Sequence, residues 1–159
     1  MMRYLHYLLV PVFYLAIALA GSFFTVKGVE TWYIGLLKPE YTPPGFLIGI
    51  IWTAIYILTA MSLIMFINRG RNYPLFWMII GLYIFNGIIN ALWSYIFFTG
   101  HMIGLAIVNA AAIAASVCAI MILIGRSNLP AALLLLPYLL WSTFAVGLTC
   151  HIYGLNRSL

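Results

Sequence analysis

The sequence predicts an all-α integral membrane protein, a bundle of five transmembrane helices. Three observations predict it. Of 159 residues, 66% are hydrophobic and only 6% are charged, whereas a water-soluble domain carries about 25% charged residues. Seven basic and two acidic side chains cannot clothe a water-facing surface of this size, which excludes a soluble globular domain and, with so much apolar residue, a disordered chain. The apolar residues fall in five long runs separated by short polar breaks.

The runs are 5–26, 44–67, 75–98, 102–124 and 130–153, and together they make one domain over 1–159. Crossing roughly 30 Å of hydrocarbon takes about 20 helical residues, and no run has Asp, Glu, Lys or Arg in its interior. A lipid-exposed backbone must satisfy its own hydrogen bonds, which favours helices. A β-barrel would alternate with period two, and Ala110-Ala111-Ala112 does not. Pro43-Pro44 opens the second helix with Thr42 as N-cap, Pro74 opens the third, and Ser127 with Asn128 before Pro130 opens the fifth. Pro11 and Pro137 lie inside helical runs; Pro137 frees the Leu133 carbonyl and should kink the last helix.

The loops set an orientation. Arg3, Arg69, Arg71 and Arg126 fall on one side; Lys27, Lys38 and Arg157 fall on the other, with Glu30 and Glu40. The basic residues favour the N-terminus inside and the C-terminus outside. Arg3, the apolar run and Ala18-Leu19-Ala20 also resemble a secretory leader. The run continues through Phe23-Phe24, which suits a retained span. A bacterial cell membrane is then the expected location.

The one long connection, Lys27 to Pro43, contains Trp32-Tyr33 and Pro39, with Pro44 just beyond it. It reads as an interfacial anchor or as a stiff lid over a cavity. Trp52 and Tyr56 share a face of the second helix. Asn86, Asn90, Trp93 and Phe97 follow one another along the third, and Tyr138, Trp141 and Ala145 share a face of the fifth. Asn86 and Asn90 must face the interior, because an unpaired amide in hydrocarbon is costly. The faces read as packing glued by amides or as a ligand cavity. Ala106, Ala110, Ala114 and Cys118 form a small-residue stripe suited to close helix packing.

Other chemistry lacks candidates. His6, His101 and His151 stand far apart, and Cys118 and Cys150 have no CxxC spacing, so no metal site is expected. There is no acidic pair, nucleophile triad or phosphate loop. The basic residues form no stripe, so nucleic acid is not an expected partner.

Trp32-Tyr33, Leu36, Lys38-Pro39, Thr42-Pro43-Pro44, Phe46, Trp52 and Tyr56 together resemble the signature of the translocator protein family, also called tryptophan-rich sensory proteins or peripheral-type benzodiazepine receptors. Gly21-Ser22 and Thr25, then Asn90, Trp93 and Phe97-Phe98, then Pro137-Tyr138, Trp141, Phe144-Ala145 and Leu148 extend the similarity over nearly the whole chain. The resemblance implies a five-helix bundle, often a homodimer, with the long first loop acting as a lid over a pocket between the helices. It implies binding of porphyrin or haem-type tetrapyrroles such as protoporphyrin IX, and of hydrophobic isoquinoline and benzodiazepine ligands, with no required cofactor. Carried residue by residue, it implicates Trp32, Tyr33 and Pro43 in the loop. In the helices it implicates Trp52, Tyr56, Asn86, Asn90, Trp93, Trp141, Phe144 and Ala145. Asn86, Asn109 and Thr149 stand where many members have Gln, an acidic residue and Asn, which bears on ligand preference. A second class is light- and oxygen-dependent protoporphyrin breakdown, with Trp52 and Trp141 as candidate oxidisable groups. A third is an accessory subunit without a ligand of its own.

Overall fold

The computed structural model describes residues 4–157, so Arg3, counted above in the orientation, lies outside the described residues. Those residues form α1 (His6–Val29), α2 (Gly45–Gly70) and α3 (Phe76–Ser94), which runs on into a π-helical turn (Tyr95–Thr99). Then follow α4 (Ile103–Gly125) and a fifth span in two pieces, α5 (Leu129–Leu133) and α6 (Leu136–Leu155). All five spans are long and apolar enough to cross a bilayer. The protein is a multi-pass helical bundle, as the apolar runs predict.

The differences at the boundaries are instructive. α1 and α2 each continue three residues past the predicted limits, to Val29 and Gly70. Polarity marks the edge of the hydrocarbon, but the backbone keeps its helical hydrogen bonds beyond it. Asn128 caps α5 as expected, its side chain accepting from the Ala131 amide at 3.3 Å. Thr42 does not cap α2; its hydroxyl donates to the Pro39 carbonyl at 2.6 Å, and extended Pro44 holds the cap position. The fifth span breaks at Leu134-Leu135, just before Pro137, whose ring and missing N–H forbid an unbroken helix. Pro11 is carried inside α1 without a break.

Packing differs between the two ends of the bundle. At the end that carries Arg69, Arg71 and Arg126, a solid core holds Ile55, Phe66, Ile79, Tyr83, Ile120 and Ile124. With apolar lipid outside, close packing and buried polar contacts hold such helices together, and the hydrophobic effect contributes little. Tyr83 and Ser62 hydroxyls meet at 2.7 Å, and Ser62 donates to the Ala131 carbonyl at 2.7 Å. Asn68 near the end of α2 holds the start of α1, bonding His6 at 2.9 Å and the Tyr7 hydroxyl at 2.8 Å. Glycines bring α1 onto α3. A Cβ at Gly87 would lie 2.8 Å from the Phe13 ring, and one at Gly28 would lie 2.8 Å from the Phe98 Cβ and against the Phe98 carbonyl. At the opposite end, under residues 30–44, the bundle is hollow.

Candidate functional site

The hollow is a cavity of about 470 Å³ among α1, α2, α3, the π turn, α4 and α6. Small-molecule sites run roughly 300–1,000 Å³. Its aromatic wall comes from five places: Tyr33 in the first loop, Trp52 and Tyr56 on α2, Trp93 on α3, Phe97 and Phe98 on the π turn, and Trp141 on α6. Trp52 stacks on Tyr56 with centroids 5.6 Å apart, and Trp93 stacks on Phe97 at 4.9 Å and 9°. Helical spacing explains the pairs, since residues four apart share a face. Phe97 and Phe98, adjacent residues, also both line the cavity. They lie in a wide π turn closed by the Gly100 amide on the Tyr95 carbonyl at 2.8 Å. Such turns recur at functional sites.

Below the rings lies a polar floor. The Tyr56 hydroxyl donates to Asn90 Oδ1 at 2.8 Å, and Asn90 Nδ2 donates to the Tyr138 hydroxyl at 2.7 Å. Tyr138 in turn donates to Asn86 Oδ1 at 2.9 Å, and Asn86 Nδ2 donates to Ser116 at 2.8 Å. The chain satisfies two buried amides and ties α2, α3, α4 and α6 together. Two indoles are not satisfied. Trp93 Nε1 and Trp141 Nε1 are buried with no acceptor among the described residues, although their rings line the cavity.

The loop is held by contacts that the sequence does not announce. Asn156, just past α6, accepts from the Leu37 amide at 3.0 Å and donates to the Leu37 carbonyl at 2.9 Å. The Tyr41 hydroxyl meets His151 Nδ1 at 2.8 Å. Trp32 stacks on His101 with centroids 4.4 Å apart, and His101 adopts φ 55°, a left-handed conformation. Lys38 Nζ donates to the Tyr33 carbonyl at 2.8 Å and sits 4.3 Å from the Tyr33 ring centroid. Burial pushes the Tyr33 phenol above its ordinary value.

Of the predicted site residues, Tyr33, Trp52, Tyr56, Asn90, Trp93, Trp141 and Ala145 meet at the cavity. Trp32, Pro43, Asn86 and Phe144 are not in its wall. Trp32 buttresses Phe97 from behind at 5.3 Å, and Asn86 sits one turn deeper in the hydrogen-bond chain. Phe144 lies between Tyr41 and Trp141, and Pro43 leads the chain into α2. The residue reading passed over one whole wall, Ala18, Gly21, Ser22 and Thr25 of α1. Their i, i+3, i+4, i+7 spacing was the available signal.

The sequence pattern of the TspO/MBR family matches residues 8–154. The chain belongs to that family. It is 41% identical over 149 residues to the tryptophan-rich protein TspO of Archaeoglobus fulgidus, covering 89% of this chain and 91% of that one. It is 30% identical over 138 residues to the human translocator protein, covering 86% and 82%. A protein of Cereibacter sphaeroides named tryptophan-rich sensory protein is 28% identical over 128 residues, covering 80% and 78%. Membership places the bundle in a lipid bilayer, among relatives named as sensory and translocator proteins.

Proposed function

We propose that this protein is a membrane receptor or carrier that binds flat, hydrophobic tetrapyrroles such as protoporphyrin IX or haem in the cavity beneath residues 30–44. The same cavity would take isoquinoline- and benzodiazepine-type compounds. The observation that carries the reading is the convergence of Trp52, Tyr56, Trp93, Phe97 and Trp141 on one hollow. A bundle that needed only packing would fill that space with aliphatic side chains. Each ring stacked on a ligand contributes about 0.5–1.5 kcal/mol beyond burial. A ligand carbonyl or carboxylate reaching the Trp93 or Trp141 N–H, after a small ring rotation, satisfies a donor that the protein leaves alone. The loop serves as the lid in this reading, with Tyr33 inward and its other aromatics docked on His101 and His151. The N-terminus lies inside, the C-terminus outside, and the working unit is a homodimer.

The test is tryptophan-fluorescence quenching by protoporphyrin IX. Saturable quenching that weakens about tenfold in the Trp52→Phe, Trp141→Phe double variant supports the reading; affinity unchanged by the double variant refutes stacking as its basis. A photo-oxidative enzyme is favoured by one observation, the Trp52 ring stacked on Tyr56 within the cavity, which offers two oxidisable groups to an excited macrocycle. Illumination with and without oxygen separates it from simple binding: breakdown at the rate of free porphyrin excludes the protein from the chemistry.

A further inference from the structure

We infer that the cavity is loaded sideways from the bilayer, through the seam between α1 and the N-terminal third of α2. The inference rests on the binding reading above and adds the path and the physical state of the ligand, dissolved in lipid.

Four observations carry it. The buried residues of α2 are Ile55, Thr59, Ala60, Ser62, Leu63, Phe66 and Gly70. The first ten residues, Gly45 to Ala54, contribute none, and the stretch meets the core through half-buried Ile51 and Trp52. Second, Ser22 and Val26 of α1 and Gly45, Gly49 and Thr53 of α2 line the cavity and are exposed on the outer surface. A Cβ at Gly45 or Gly49 would meet no atom within 4 Å. The wall is open there, within the apolar span of α2. Third, a groove on the outer face of α1, formed by Leu19, Ser22, Phe23, Val26 and Lys27, shares Ser22 and Val26 with the cavity. A lipid-borne ligand sliding along α1 therefore meets the opening. Fourth, the side-chain hydrogen bonds that join α1 and α2 among the described residues lie at the far end, from Asn68 to His6 and Tyr7; nearer the cavity the two helices share the contact of the Tyr14 and Tyr56 rings, centroids 6.4 Å apart. No side-chain hydrogen bond among the described residues joins them beside the cavity.

The alternative path, from water past the loop, is obstructed. Leu36 and Pro39 are buried, and Asn156 and His151 hold the loop through three hydrogen bonds. α1 is in turn fixed to the π turn by the Gly28–Phe98 approach. The glycine-bearing N-terminal end of α2, thinly packed on the bundle, is thus the element that swings, a gate of the kind that opens on the microsecond-to-millisecond scale.

The experiment mixes proteoliposomes with donor vesicles loaded with protoporphyrin IX and follows quenching by stopped flow. Gly49→Leu and, separately, Thr53→Leu put bulk into the seam where space exists. Asn156→Ala loosens the loop instead. The expected result is that each seam variant slows association and dissociation together by about tenfold, while Asn156→Ala leaves both rates within about twofold. Seam variants that bind at wild-type rates, or an Asn156→Ala protein that loads about tenfold faster, overturn the lateral path. Equilibrium quenching in the wild type keeps the two readings apart. Saturation with rates insensitive to the seam sinks the path alone, whereas no saturation sinks the binding reading and the path with it.

Discussion

Asn156→Ala isolates the tie between the first loop and the last helix. Asn156 makes two hydrogen bonds to the Leu37 peptide, at 3.0 and 2.9 Å, and a third, at 2.7 Å, to the Ile152 carbonyl of its own helix. Only the first two bridge loop and helix. Each contributes about 0.5–1.5 kcal/mol net, so their loss costs about 1–3 kcal/mol of loop closure. At 1.4 kcal/mol per tenfold, that corresponds to roughly five- to 150-fold faster opening. Hydrogen exchange of the Leu37 amide, followed by mass spectrometry in nanodiscs, reads this directly, because that N–H is the one Asn156 accepts. Exchange near Tyr83 in the solid core should not change. Unchanged protection at Leu37, with fraying confined to the end of α6, would show that Leu36, Pro39 and the Tyr41–His151 contact hold the loop unaided and that the Asn156 tie is incidental.

Other expectations follow from the same geometry. Gly28→Ala should lower stability by about 1–3 kcal/mol, because the new methyl meets Phe98 backbone that cannot move aside; Gly45→Ala, facing open space, should not, and thermal melting in detergent compares the two. Asn90→Ala strands the Tyr56 hydroxyl and takes one of two partners from the Tyr138 hydroxyl, and should cost about 0.6–2 kcal/mol by the same melt, the range found for hydrogen bonds between membrane helices. His101→Val forces a β-branched residue into a left-handed position and removes the Trp32 stack, so it should destabilise by about 1–2 kcal/mol, whereas His101→Gly loses only the stack.

The fold was legible because hydrocarbon imposes so strict a rule. Apolar runs of spanning length with no charge inside admit one backbone solution, and the five spans appear within a few residues of their predicted limits. The site was legible in part. Trp52, Tyr56, Asn90, Trp93 and Trp141 obey helical periodicity, so their shared faces could be read before their partners were known. Asn86 obeys the same period yet sits below the cavity, because periodicity gives the face and not the depth. Phe98 escaped because only Phe97 continues the face set by Asn86, Asn90 and Trp93, while the cavity is wide enough to take in the adjacent ring as well. The α1 wall escaped because glycine, serine and alanine carry no chemistry that draws notice; they shape the cavity by being small. The loop ties escaped because Asn156 and Leu37, 119 positions apart in sequence, meet only once the fold lays the first loop over the end of the last helix.

The central claim is that indoles from different helices face one ligand. Indole N–H resonances of the isotopically labelled protein test it most directly, since the ring current of protoporphyrin IX shifts only nearby protons. The account predicts that Trp52, Trp93 and Trp141 move together and saturate, while Trp77, 80% exposed on the outer face of α3, stays in place. Movement of Trp77 with the three cavity indoles unmoved would contradict it, placing the macrocycle on the lipid-facing surface.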